Sequence, residues 1–233
     1  MESLLRWSIE NTDTSSPAHL AALQQASHDR MQSLDPALID AILGKPDAVK
    51  MKESMALASD AGRTGEERLQ ALDDLELLVE GIDNANDMAK LALWTPLWEL
   101  VKGPSQGEGE GADSGKGVDD ELRGAALWVA GTAVQNNPQA QADFLALDPI
   151  PLLLSVLASK DAGRATRSRA VYALSGGMNH NAEAVGRMAA AGGWSVLRDA
   201  LTDPDISVRR KVAFLLNTLL LLDGPAPSSS TTS

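Results

Sequence analysis

Leu122-Arg123-Gly124-Ala125-Ala126-Leu127-Trp128 and Thr166-Arg167-Ser168-Arg169-Ala170-Val171-Tyr172 are two versions of one segment, 44 residues apart. The register persists beyond them. Gln135-Asn136-Asn137 falls on Asn179-His180-Asn181, Phe144 on Met188, Ile150 on Trp194, Leu153 on Leu197 and Leu157 on Leu201. A third copy opens at Val208-Arg209-Arg210-Lys211-Val212-Ala213-Phe214, 42 residues beyond Thr166, and a divergent earlier copy runs from Arg68 to Val101. Each copy reads as a long helix bearing a bulky residue, a short helix, then a Leu-rich helix introduced by Pro or Gly. One such unit cannot bury its apolar face alone, whereas stacked neighbours share a continuous core.

A period of about 40–47 residues with two or three helices is that of armadillo and HEAT repeats. The expected fold is therefore all-α, a right-handed superhelical solenoid of armadillo-like repeats over residues 46–222. The long helices beginning near Arg68, Arg123, Arg167 and Arg209 are expected to line its concave face. Asp47 is a suitable N-cap for a first helix over 48–61, Gly62–Gly65 breaks it, and 66–80 continues at helical spacing. Residues 1–45 read as a flexible leader with two short amphipathic segments. Residues 103–118, with six Gly and little apolar content, read as a disordered loop, and 223–233 as a polar disordered tail.

Composition narrows the function. The 233 residues contain no Cys and three scattered His, so thiolate, disulfide and histidine-rich metal chemistry are excluded, and no cofactor or metal is expected. No catalytic triad is visible, and Gly103–Gly117 lacks the Gly-Lys-Ser/Thr ending of a phosphate loop, so an enzyme is not expected. A net charge of −12 argues against nucleic acid. The longest apolar runs, Ile150–Leu157 and Leu215–Leu222, are too short to span a bilayer, so no membrane is expected and a cytoplasmic or nuclear location is the default. The charge is uneven. Lys160–Lys211 holds nine Lys or Arg against five Asp or Glu, while residues 1–159 are net −15. That asymmetry suggests a polar partner reading the basic segment; a merely solvated surface is the competing reading.

Several strings carry a resemblance: Leu4-Leu5-Arg6-Trp7-Ser8-Ile9, Met51-Lys52-Glu53, Leu77 through Asn86 with its Asp-Asn-Ala-Asn ending, Leu93-Trp94-Thr95-Pro96-Leu97, Gly131-Thr132-Ala133-Val134-Gln135-Asn136-Asn137, and Arg167 through Leu174. Through these, residues 1–222 resemble the armadillo-type nucleotide-exchange factors of the 70-kilodalton heat-shock chaperone, the fungal Fes-one and animal heat-shock-protein-binding-protein-one group. The resemblance implies a monomeric co-chaperone whose concave face grips lobe II of the chaperone's ATPase domain. Opening of the nucleotide cleft then releases ADP and, after ATP binds, the client. It also implies that Leu4, Leu5, Trp7 and Ile9 form a leader that promotes client release. The chain departs from the family in the Gly-rich 103–118 segment and in the Ser/Thr-rich end.

The partner-binding candidates are Asn84, Ala85, Asn86, Asn136, Asn137, Arg167, Arg169, Asn181, Arg209 and Lys211. For Asn84–Asn86 a helix C-cap and turn competes equally with direct contact by Ala85. Asn136, Asn137, Asn179 and Asn181 recur at helix ends, where capping is the first expectation. Cations at a helix start oppose the macrodipole, so Arg167, Arg169, Arg209 and Lys211 require either the neighbours Asp161, Asp203 and Asp205 or an acidic partner. Trp94, Trp98, Trp128 and Trp194 are expected in the core and His180 in a surface turn. Two alternative functions are an armadillo peptide-binding adaptor and a plain scaffold. The adaptor is disfavoured because Thr132, Gly176 and Thr218 stand where a peptide groove needs Asn after the aromatic residue.

Overall fold

The computed structural model describes residues 45–103 and 113–222. Among them are eleven helices and no strand. They are α1 (Asp47–Ser59), α2 (Gly65–Val79), α3 (Ile82–Lys90), α4 (Trp94–Lys102), α5 (Asp113–Ala133), α6 (Pro138–Ala146), α7 (Ile150–Ala158), α8 (Arg164–Met178), α9 (Ala182–Ala190), α10 (Gly193–Ala200) and α11 (Ile206–Leu222). All belong to one compact unit beginning at Asp47. The fold is the expected solenoid of armadillo-like repeats: α2–α4, α5–α7 and α8–α10 are successive long-short-short units, and α11 opens the next. The long helices pack in the order α2, α5, α8, α11, while α6 meets α3 and α10 meets α7.

Local chemistry sets the helix ends. Thr64 and Glu67 form a reciprocal capping box at α2. Asn137 and Asn181, 44 residues apart, cap α6 and α9 by accepting from the N–H of Ala140 and Ala184. The residues just before them, Asn136 and His180, both adopt left-handed backbone, with φ of 50° and 53°. Ala92, Asp148 and Gly192 do the same between the two short helices of each unit. The repeat is thus copied in its turns as well as its core.

The interior is one continuous apolar cluster. Leu72 and Leu75 of α2, Leu127 of α5, Leu174 of α8 and Val212 of α11 are fully buried within it. Each such side chain contributes on the order of 2 kcal/mol on burial. Trp94 and Trp98 stack with ring centres 6.1 Å apart, and both meet Phe144 in T-shaped contacts. Polar latches join the units. Asp120 accepts from the Gly163 N–H at 3.0 Å and from Thr166 Oγ1 at 2.8 Å, tying α5 to α8. Arg167 donates to Asp203 at 2.7 Å, tying α8 to the turn before α11.

The structure corrects three expectations. Residues 113–118, read as loop, form the start of α5; Val118 is partly buried, and Gly65 passes so close to it that a Cβ there would collide. That tertiary contact stabilises a turn whose composition would not. Asn84–Asn86 do not end a helix but lie inside α3, after the break at Gly81. Trp194 is 45% exposed rather than core, and Trp128 is only half buried. The leader, including Leu4, Leu5, Trp7 and Ile9, the tail 223–233 and residues 104–112 lie outside the described residues.

Candidate protein-binding face

The side chains expected to meet a partner separate into two groups. Ala85 is 2% exposed on the inward side of α3, so it packs against the core and not against a partner. The Asn84 amide donates to the Leu78 carbonyl at 2.9 Å, and Asn86 is half buried with its Oδ1 enclosed. Asn137 is a buried cap, Asn181 a half-buried one, and Asn136 accepts from Asn179 Nδ2 at 3.0 Å. Asn136, Asn137 and Asn181 thus build turns, while Asn84–Asn86 belong to the body of α3. Arg167 is likewise occupied. Its side chain is 11% exposed, it holds Asp203, and it also donates to the Ala162 carbonyl. The hydrogen bond it donates to Asp203 raises the pKa of Arg167 further, against the opposing effect of burial. Burial alone would raise the Asp203 carboxyl, but the hydrogen bonds from Arg167 and the Asp205 N–H outweigh it and hold it below the usual carboxylate range. Arg209 donates to the carbonyls of Asp203 and Pro204. The basic helix starts are therefore explained within the fold for Arg167 and Arg209.

Arg169 and Lys211 are different. Neither has a carboxylate within ion-pair distance among the described residues. Arg169, on α8, lies over the ring of Trp128 on α5, 5.6 Å from its centre. Lys211, on α11, lies over Tyr172 on α8, also at 5.6 Å, and 5.9 Å from Trp128. The two rings are stacked, 4.7 Å apart at 21°. Glycines make this approach possible. A Cβ at Gly131 would collide with the Tyr172 ring, and one at Gly124 would sit 3.2 Å from Arg169 Nη1. Thr132 donates to Glu76 at 2.8 Å and meets the Tyr172 hydroxyl at 3.4 Å, extending the row to α2. Burial, and then the neighbouring Arg169 charge, lowers the Lys211 pKa. Beside it lies an open cleft of about 580 Å³ between Gln135, Tyr172, Ser175, Arg210, Lys211 and Phe214.

Sequence reasoning singled out Arg169 and Lys211 but placed Trp128 in the core. The signal that could have found the row is in the repeat itself. Arg169 and Lys211 are equivalent positions, each three residues before an aromatic side chain. Among the described residues no three metal-ligating side chains cluster, and no single helix is long and apolar enough to cross a membrane.

A stack of armadillo-like repeats whose long helices set cations over aromatic rings, with no carboxylate partner for those cations among the described residues, defines the class: a helical-repeat protein. The pattern of "Nucleotide exchange factor Fes1" matches residues 1–88, and that of the "SIL1/FES1/HPBP1 C-terminal domain" matches residues 116–223. A protein from Coccidioides immitis named Hsp70 nucleotide exchange factor FES1 is 38% identical over 184 residues, covering 78% of each chain. Relatives of the same name from Mycosarcoma maydis and Saccharomyces cerevisiae are 38% and 35% identical, covering 95% and 75% of this chain but 55% and 54% of their own. The chain belongs to the Fes1 family. It spans about half the length of several relatives. A designed armadillo repeat protein solved with a (KR)4 peptide superposes with a TM-score of 0.57 at 17% identity, over 72% of this chain and 63% of its own. A second engineered protein gives 0.58, also at 17% identity, over 72% and 62%. Both agree in fold alone.

Proposed function

We propose that this chain is a non-catalytic co-chaperone that binds the ATPase domain of a 70-kilodalton heat-shock chaperone and promotes release of ADP and then of the client. Family membership supports the reading, and the observation that carries it to a place on the molecule is the Trp128–Tyr172 stack with Arg169 and Lys211 held over it. A rigid row of rings and cations, neither cation ion-paired to a carboxylate among the described residues, suits a folded acidic surface, here assigned to lobe II. The factor needs no reacting group. It binds the chaperone with its nucleotide cleft open better than with the cleft closed, and that difference in affinity sets how far the equilibrium shifts. On this reading the chain works in the cytosol without a cofactor, and Leu4, Leu5, Trp7 and Ile9 of the leader act on the client rather than in the clamp.

Capture of a basic peptide, as in the designed armadillo protein, is disfavoured by the positive charge of Arg169 and Lys211. Release of a fluorescent ADP analogue from the chaperone's ATPase domain tests the proposal. Addition of this protein should accelerate it, and an unchanged rate would refute the exchange activity.

A further inference from the structure

The described lysine side chains divide by their surroundings. Lys50, Lys90 and Lys102 each donate to a carboxylate one turn away, Asp47 at 2.9 Å, Asp87 at 2.6 Å and Glu99 at 2.7 Å. Lys45, Lys52 and Lys160 are exposed to water. Lys211 is half buried, with its Nζ over Tyr172 and Trp128 and no carboxylate within ion-pair distance among the described residues. It lines the cleft of about 580 Å³, together with the hydroxyl residues Ser175 of α8 and Ser207 of α11. The charged side chains lining that cleft are Lys211 and Arg210, both cations. Arg169 lies over the same Trp128 ring, and the Glu76 carboxylate reaches the row only through Thr132 and the Tyr172 hydroxyl. Burial first, and then the like charge of Arg169, draw the Lys211 amine below the ordinary lysine value. A cationic cleft attracts anions, and an amine held there without a counter-ion is more readily neutral and nucleophilic.

We propose that Lys211 is an acylation site, modified by an anionic acyl thioester of the acyl-coenzyme A type, and that its modification switches off the partner-binding face. The neutral Lys211 Nζ attacks the thioester carbonyl; the N–C bond forms and the C–S bond breaks. The thiol departs with the proton that the amine gives up, and an uncharged amide remains. Arg210, exposed in the same cleft, can pair with the phosphates of the donor. The amide no longer carries the charge that holds Nζ over the rings, so only Arg169 of the two cations is left. Arg169 itself, the equivalent residue of the preceding repeat, is a guanidinium that stays protonated and does not react in this way. The switch is therefore confined to one repeat. Its effect on binding rests on the exchange reading, whereas the chemistry at Lys211 does not.

Incubation of the 233-residue protein with acetyl-coenzyme A at neutral pH, followed by peptide mass spectrometry, tests the site. Lys211 should gain the acetyl group at least about threefold faster than Lys52 or Lys160, and the advantage should vanish in denaturing urea, where the cleft is gone. Equal rates in the folded protein would overturn the proposal. So would an advantage that survives unfolding, which would assign it to the adjacent Arg209 and Arg210 in the chain. ADP release from the chaperone ATPase domain is then read on the same samples. Acetylation should slow the release that the unmodified protein produces by at least about threefold, and a Lys211→Arg variant treated alike should resist the loss. Acetylated protein that acts as fast as unmodified protein would overturn the switch. If the unmodified protein itself gave no acceleration, the exchange reading would fall, and the mass spectrum would still decide the site.

Discussion

Arg169 holds its guanidinium 5.6 Å from the ring centre of Trp128, and 42 residues later Lys211 repeats the relationship over Tyr172. Each cation comes from one long helix and each ring from the helix before it. Stacking the repeats is therefore what assembles the row. Because no carboxylate among the described residues neutralises either cation, their charge remains available to a partner.

Arg169→Ala with Lys211→Ala should weaken binding to the chaperone ATPase domain by ~1–3 kcal/mol and slow ADP release in proportion. Helicity should be unchanged. Titration calorimetry at low and physiological salt checks this, with the larger loss expected at low salt.

Ala85→Arg should act on the fold before it acts on any partner. The site is 2% exposed, and a long cation there is both overpacked and desolvated, at a cost of at least ~2 kcal/mol. Thermal unfolding should show a large fall in Tm. A variant with wild-type Tm and lost chaperone binding would return Ala85 to the interface.

Asp203→Asn should destabilise the protein by ~1–3 kcal/mol at neutral pH by removing the charged partner of Arg167. The Asp203 pKa is lowered in the folded state. Its contribution is therefore complete above the unfolded value of about 3.9 and is lost as pH falls through the folded value. Urea unfolding should show a constant gap between wild type and variant above pH 5 that narrows below about pH 4.

Gly131→Ala should push the Tyr172 ring off α5, because the new methyl would occupy its place. A cost of ~1–3 kcal/mol is expected from overpacking. Unfolding monitored by tryptophan fluorescence, which reports Trp128 in the disturbed stack, checks the claim.

The 44-residue register from Leu122 to Leu201 determined the fold class, because apolar spacing and turn residues are local properties that repeat with the unit. It located the long helices and assigned Asn137 and Asn181 to capping, since an N-cap is decided within four residues of chain. The strings that resemble the family were legible in the same way. The sequence could not say which residues at equivalent positions face solvent. Ala85 and Lys211 were both candidate contacts, and only the packing of α3 against the core buried the first while leaving the second on the surface. Nor could it separate Arg167 from Arg169. These two side chains lie two residues apart, but a helix turns about 200° over that distance, so one meets Asp203 of the next turn and the other meets Trp128 of the preceding repeat. Residues 113–118 were misread for the same reason: Val118 is ordered by Gly65, more than fifty residues earlier, and no local propensity records such a contact. Period and caps are written along the chain, whereas burial, ion pairing and ring stacking depend on which repeat lies alongside, and that is fixed only when the units stack.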